Sequence, residues 1–372
     1  MNQKINILYI CETPRYGVGR HLMDLSDYMI SMGHNICIIW SRERSSKEFR
    51  NWLECNKNKI ISLELKMRRQ IGFRDLKIIW QINSFLKSGS FNPDIIHGHS
   101  SKGGAYSAII ALKYMAISVY SPHAFAFISK FRNIFFIDYK WLIEFFLSRK
   151  RNIIATSMSE KALAETLQPR NIEYIPNGIE LKNSLELIPS TDQNYKISFV
   201  GRLEEQKDPL LFVKIASNIL KSNKLVEFNI FGEGNLLIDV KNQIKKLNLS
   251  KKVFTHGEKP LKYIFENTDI LICTSKYEGF PYLFIQCISN GIPIVTTQVG
   301  GAHEVTDAGE VGLIYQKNNL RPVEDFVKYF SSNPGAFQKL KKATLKHSRK
   351  FCKDKMSKST LLAYGKFLKV TL

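Results

Sequence analysis

In "KYEGFPYLFIQ" (276–286), a lone acid, Glu278, stands beside a turn built by Gly279, Phe280 and Pro281. Pro281 is expected at the first helical position, where its missing N–H costs nothing. The opening N–H groups at Tyr282 and Leu283 then have no partner within the helix and suit phosphate oxygens. A carboxylate at such a place would repel a bare anion. It makes sense when the ligand also carries hydroxyls, which a carboxylate accepts strongly. A phosphate joined to a sugar meets both demands. The bland alternative is an acid that merely stabilises the start of a helix.

A second stretch, "FVGRLEEQKDP" (199–209), sets Arg202 and Lys207 on either side of a loop that enters a helix near Asp208–Pro209. Two cations at a strand end and a helix start suit a diphosphate, although solvated surface charge is common. "FGEGN" (231–235) is a further glycine-rich strand end, in which Gly232 permits a turn without diagnosing one. Near the amino end, "CETPRYGVGRHLMDLS" (11–26) follows a strand and opens a helix. Gly17 and Gly19 let the backbone approach a ligand, but Leu22 stands where a full G-x-G-x-x-G needs glycine. His97 and His99 share one side of a strand, and His123 lies in "YSPHAFAF". An H-x-H pair can bind metal, yet no third ligand has convincing spacing, so no metal is expected. His123 reads equally as a satisfied core residue.

These residues need a scaffold that puts strand ends together. Short apolar runs alternate with helix-length amphipathic segments: "INILYI" (5–10), "NICIIW" (35–40), "DIIHGH" (94–99), "ISVYS" (117–121) and "NIIATS" (152–157) in the first half. Helices are expected at 19–32, 74–88, 103–115, 135–148 and 158–167. An aperiodic stretch, 179–194, reads as a linker. The alternation then restarts with strands at 195–200, 226–231, 252–256, 269–275 and 293–297, with helices between them at 207–222, 235–247, 260–267 and 281–290, and ends in a helical tail from about 320. Such alternation means βαβ crossovers and parallel sheets, with ligands at the carboxyl ends of the strands. Two α/β domains in series follow, 1–180 and 195–345, with a last helical segment at 346–372. At roughly 100–200 residues per domain, the length suits two.

The formal charge is +21, which calls for an acidic partner class: nucleic acid, anionic lipid or phosphorylated small molecules. No helix-turn-helix pattern, paired-Cys zinc signature or RNA-recognition octamer occurs, so nucleic acid is not the expected partner. Short basic clusters lie at "KMRRQIGFRDLK" (66–77) and "LSRKRN" (147–152). The segment 131–152 mixes aromatic residues with basic ends and suits either an anionic membrane surface or a covering helix. Six scattered cysteines resemble buried free thiols of a reducing compartment. No leader-like or membrane-spanning run is seen, so the expectation is a cytoplasmic protein, peripheral on the inner face of the cytoplasmic membrane.

The set "YGVGRHLMDLS", "YIPNGIE" (174–180), "FVGRLEEQKDP", "FGEG" and "EGFPYLFIQCISNGIPIVTTQVGGAHE" resembles the retaining glycosyltransferases of family four, in family order and through almost the whole chain. The resemblance implies the GT-B fold, two Rossmann-like domains facing across a cleft, with the last helix crossing back to the first. It implies transfer of a glycosyl group from a nucleotide-sugar to a glycan or polyprenyl-diphosphate-linked acceptor in the making of a surface polysaccharide. The donor is expected to be a UDP-sugar rather than a GDP-sugar, and neither metal nor cofactor is expected. By the same resemblance Arg202 and Lys207 bind the donor diphosphate. Glu278 contacts sugar hydroxyls, and the backbone of Gly279, Phe280, Pro281 and Tyr282 supports the phosphate. Gly17 and Gly19 close over the donor, and His123 lies near the reacting carbon. Arg20, His97 and His99 are candidates on the acceptor side. Where the family pattern expects a second Glu to hold ribose hydroxyls, this chain has Gln286. That amide keeps an acceptor oxygen but loses the charge, which motivates a competing reading as a non-catalytic GT-B scaffold.

Overall fold

The computed structural model describes residues 3–68, 72–125, 141, 144, 145, 148–181 and 195–372. The chain divides into two units, Met1–Glu180 with Phe351–Leu372, and Leu181–Lys350.

In the first unit seven parallel strands form one sheet: β1 (Asn6–Cys11), β2 (Asn35–Trp40), β3 (Ile60–Glu64), β4 (Ile95–His99), β5 (Ile117–Ser121), β6 (Asn152–Ala155) and β7 (Asn171–Tyr174). Their order is β3-β2-β1-β4-β5-β6-β7. The order reverses between β1 and β4, where Cys11 stands beside His99. Along β1 the side chains alternate between two cores. Ile7, Tyr9 and Cys11 join one core, with Met356, Leu361, Tyr364 and Phe367 from the helix Lys353–Leu368. Leu8 and Ile10 join the other, with Ile78, Ile82 and Leu86 from the helix Arg74–Lys87. Burial on both faces explains why the central strands read as unbroken apolar runs.

In the second unit six parallel strands, β8 (Tyr195–Val200), β9 (Val226–Phe231), β10 (Val253–Gly257), β11 (Ile270–Cys273), β12 (Ile294–Thr297) and β13 (Gly312–Tyr315), run in the order β10-β9-β8-β11-β12-β13. Here the reversal falls between β8 and β11. A core of Phe199, Phe212, Phe228, Ile230, Ile272 and Val295 joins the sheet to the helix Pro209–Ser222.

Several elements depart from the sequence expectations. Strands β3, β7 and β13 and the helices Lys47–Cys55 and Ala302–Thr306 were not anticipated. The three strands all lie at sheet edges; β3 exposes Ile61, Ser62 and Glu64, so no apolar run announces it. Gly17 and Gly19 sit inside the helix Tyr16–Ser31 and not in a loop ahead of it. Pro281 is the N-cap of the helix Tyr282–Ile288, one position earlier than expected. The helix Pro334–Ser348 stays with the second unit, so the returning segment begins at Phe351 and not at 346. Ile179 pairs with Cys352 as an isolated bridge, which places the first residues of the expected linker in the first unit. The rest of that linker and most of the segment 131–152, with its expected helix at 135–148, lie outside the described residues.

Candidate active site

The switch point of the second unit collects the ends of two neighbouring strands. From the β8 end comes Lys207, and from the β11 end comes Glu278. Their side chains meet at 2.6 Å between Nζ and Oε1, both largely withdrawn from solvent. Thr274 ties the two loops together. Its Oγ1 donates to the carbonyls of Lys207 at 2.7 Å and Asp208 at 2.9 Å. The Lys276 N–H donates to Gln206 O at 2.7 Å, and Gln206 Nε2 donates to Tyr277 O at 3.1 Å. Ser275 is held from the β12 end, its carbonyl accepting from Thr297 Oγ1 at 2.7 Å. The pair therefore sits on a braced floor. Lys207, Thr274, Ser275, Glu278, Pro281 and Leu283 line a pocket there.

Close backbone approaches shape the same region. A Cβ added to Gly300 would lie 1.7 Å from the carbonyl oxygen of Gly279. Gly301 has φ +79°, and the ring of Phe280 packs where its side chain would be. So Phe280 anchors the turn by packing on the β12 loop, and Gly232 (φ +131°) lets the β9 end pack against Gly201 in the same way. Thr274, Gly300 and Gly301 went unassigned in the sequence. The glycines belong to the quoted "TTQVGG", a signal that a neighbouring chain passes close by.

Other expected donor residues stand apart from the pair. Arg202 is exposed and bonded by NH1 to Glu204 at 2.8–2.9 Å. The side-chain amide of Gln286, half-buried on the helix Tyr282–Ile288, makes no hydrogen bond among the described residues. Asp208, in a left-handed conformation (φ 53°), does not cap the helix that follows it. Its carboxylate instead binds Lys317 at 2.9 Å, which adds a cation that no motif announced.

In the first unit the switch point gathers histidines. His99 Nδ1 and His123 Nε2 lie 3.0 Å apart, and their rings stack at 5.3 Å. His21, from the helix Tyr16–Ser31, approaches both, with ring centroids 5.5 Å from His99 and 4.8 Å from His123. Its Nδ1 is 3.0 Å from Asn177 Oδ1. His123 and Ala124 adopt positive φ, 54° and 102°. Glu160 pins that turn, accepting from the N–H groups of Ala124 at 2.8 Å and Thr156 at 2.7 Å. Burial pushes the His21 imidazole down to about 4. Burial and neighbouring imidazoles hold His99 and His123 well below the usual histidine range, so all three rings are neutral at pH 7. His97 is fully buried, with Nδ1 at 2.6 Å from Tyr364 Oη and Nε2 at 2.9 Å from Ser121 Oγ. Both nitrogens are used, which leaves none for an acceptor and corrects that expectation. Arg20 is held by Asp24 at 2.9 Å. The sequence offered the pair His97 and His99 with no third ligand; the structure instead groups His99 with His123 and with His21 from a separate segment, and leaves His97 out.

A family model described as glycosyl transferases group 1 matches residues 186–347, and one described as glycosyltransferase family 4 matches residues 16–183. The chain is 29% identical over 265 residues to a UDP-Gal:alpha-D-GlcNAc-diphosphoundecaprenol alpha-1,3-galactosyltransferase of Escherichia coli, covering 66% of this chain and 68% of that one. It is 28% identical to an uncharacterized 41.2 kDa protein in the cps region of Klebsiella pneumoniae, covering 98% of this chain and 100% of that one. Among solved structures, HepE of Anabaena in complex with UDP and glucose matches with a TM-score of 0.78 at 15% identity, covering 97% of this chain and 100% of that one. At that identity the likeness is one of fold, and the fold is GT-B.

Proposed function

We propose, given that this chain belongs to the group 1 glycosyltransferases of family 4, that it moves a hexosyl or N-acetylhexosaminyl group from a UDP-sugar to a polyprenyl-diphosphate-linked glycan in the synthesis of a cell-surface polysaccharide. The observation that carries the reading is the Lys207–Glu278 pair at the β8/β11 switch point. An ammonium has three donors. One is on Glu278, and the others are available to a diphosphate. Glu278 in turn keeps acceptor capacity for sugar hydroxyls. Arg202 is exposed on the same loop and can exchange Glu204 for phosphate. These fixed cations replace a metal in neutralising the leaving diphosphate. The bond from the anomeric carbon to the diphosphate oxygen breaks, and the acceptor oxygen bonds to that carbon on the same face, with retention. The acceptor proton passes to the leaving phosphate. His123 takes its place near the reacting carbon from the family resemblance.

The UDP donor is supported by the Escherichia coli relative, named for UDP-Gal, and by the Anabaena structure with UDP and glucose. The relative's diphosphoundecaprenol acceptor supports a lipid-linked one here. Among the described residues no helix is long and apolar enough to cross a membrane. The helix Arg74–Lys87 and the residue before it expose Phe73 (93%), Leu76 and Trp80, with Arg74 and Lys77 beside them. That mixture supports cytoplasmic action against an anionic inner-membrane surface. The intact Lys207–Glu278 pair favours catalysis over a scaffold role.

The test is donor binding and slow hydrolysis with UDP-, GDP- and ADP-sugars. Lys207→Ala and Glu278→Ala should each weaken the preferred donor by roughly 10- to 100-fold, as loss of a charged hydrogen bond does. Absence of binding by any nucleotide-sugar at millimolar concentration would overturn the reading.

A further inference from the structure

We propose that His21, His99 and His123 form a binding site for a divalent transition-metal ion of the zinc class. One ring nitrogen from each lies within 4.8 Å of the other two. In a tetrahedral zinc site with Zn–N of about 2.0–2.1 Å, ligand nitrogens stand about 3.3 Å apart. The pair His99 Nδ1 and His123 Nε2, at 3.0 Å, already has nearly that spacing. Two imidazole nitrogens so close must share one proton when no ion is present, and a cation takes the place of that proton. Small side-chain rotations bring the third nitrogen in.

Two observations favour an ion over a packed aromatic cluster. Asn177 Oδ1 engages Nδ1 of His21, so that nitrogen carries the proton and Nε2 presents its lone pair. A carbonyl on the far nitrogen is the usual orienting partner of a metal-bound histidine. Among the clustered rings, His97 shows the contrast: both of its nitrogens are satisfied and it does not join the triad. Neutral imidazole is the ligating form and suits this class of ion. His123 is half-buried, whereas His21 and His99 are buried. A fourth position is left for water.

The three histidines belong to the first unit, and Lys207 and Glu278 to the second. The bound ion would hold His123, so it is an inhibitor and not a cofactor; this consequence alone rests on the part given to His123 above.

The experiment titrates Co2+ and Zn2+ into tag-free, EDTA-treated full-length protein. Co2+ should bind once per chain with the visible bands of a four-coordinate site, and Zn2+ should displace it. His21→Gln and His123→Ala should each weaken binding by about 10- to 100-fold, with folding checked by circular dichroism. His303→Gln, which alters a histidine outside the triad, should leave binding unchanged. Binding well below one ion per chain, or binding that both triad variants retain while folded, overturns the proposal. If the ion binds as expected and transfer is not inhibited, the site stands and the part of His123 in transfer falls.

Discussion

Replacing Gly300 by Ala tests whether the β12 loop really sets the position of the acid at the donor pocket. The new Cβ would meet the Gly279 carbonyl oxygen at 1.7 Å and the Glu278 carbonyl oxygen at 2.6 Å. Real Cβ contacts essentially never fall below 3.0 Å, so the two backbones must part by at least about 1.3 Å. The atom met is backbone, not the tip of a flexible side chain, and the shift therefore reaches Glu278 itself. Overpacking of this kind costs about 1–3 kcal/mol of stability. A displacement near 1 Å in a reacting constellation lowers rate by about a hundredfold, or about 2.7 kcal/mol of transition-state stabilisation. The assay is UDP release with and without acceptor, beside a thermal melt of the same preparation. Gly335→Ala serves as the control, since nothing lies within 4 Å of its added Cβ. If Gly300→Ala is folded, melts like the parent and turns over within about threefold of it, the positioning argument is refuted.

The remaining predictions concern single contacts. Gln286→Glu should leave turnover within about tenfold, since the amide and the acid differ by roughly 1 kcal/mol as acceptors; steady-state kinetics check this, and a thousandfold change in either direction would contradict it. Tyr364→Phe should lower stability by about 1–3 kcal/mol by leaving buried His97 Nδ1 without its 2.6 Å partner; urea unfolding reads the loss, and none would mean the contact contributes nothing. Phe73→Ser with Trp80→Ser should cut sedimentation with anionic vesicles while leaving the melt unchanged, because both side chains are exposed; undiminished binding would move the membrane contact elsewhere.

Two parallel α/β sheets in series were legible in the sequence because their central strands are buried on both faces. Segments such as "NILYIC" and "ILIC" must then be continuously apolar. The edge strands were not legible, since β3 fully buries only Ile60 and exposes three of its five residues, so its "IISLE" carries no such mark. Pro281 and Gly279 of "EGFPY" announced a turn, and the residue types of Glu278 and Lys207 at strand ends suited a ligand that joins phosphate to sugar.

What the sequence could not state is who meets whom. Lys207 and Glu278 are far apart in the chain and join at 2.6 Å only because β8 and β11 are neighbours in the sheet. Arg202 and Lys207 share one loop, yet the first turns to Glu204 while the second turns inward. His97 and His99 share one strand face, but packing of the helix Lys353–Leu368 consumes the first, and the end of β5 brings His123 to the second. His21 enters from another helix altogether. Residue type and local spacing decided which chemistries were available. Strand order and helix packing, which depend on contacts between distant segments, decided which side chains carry them.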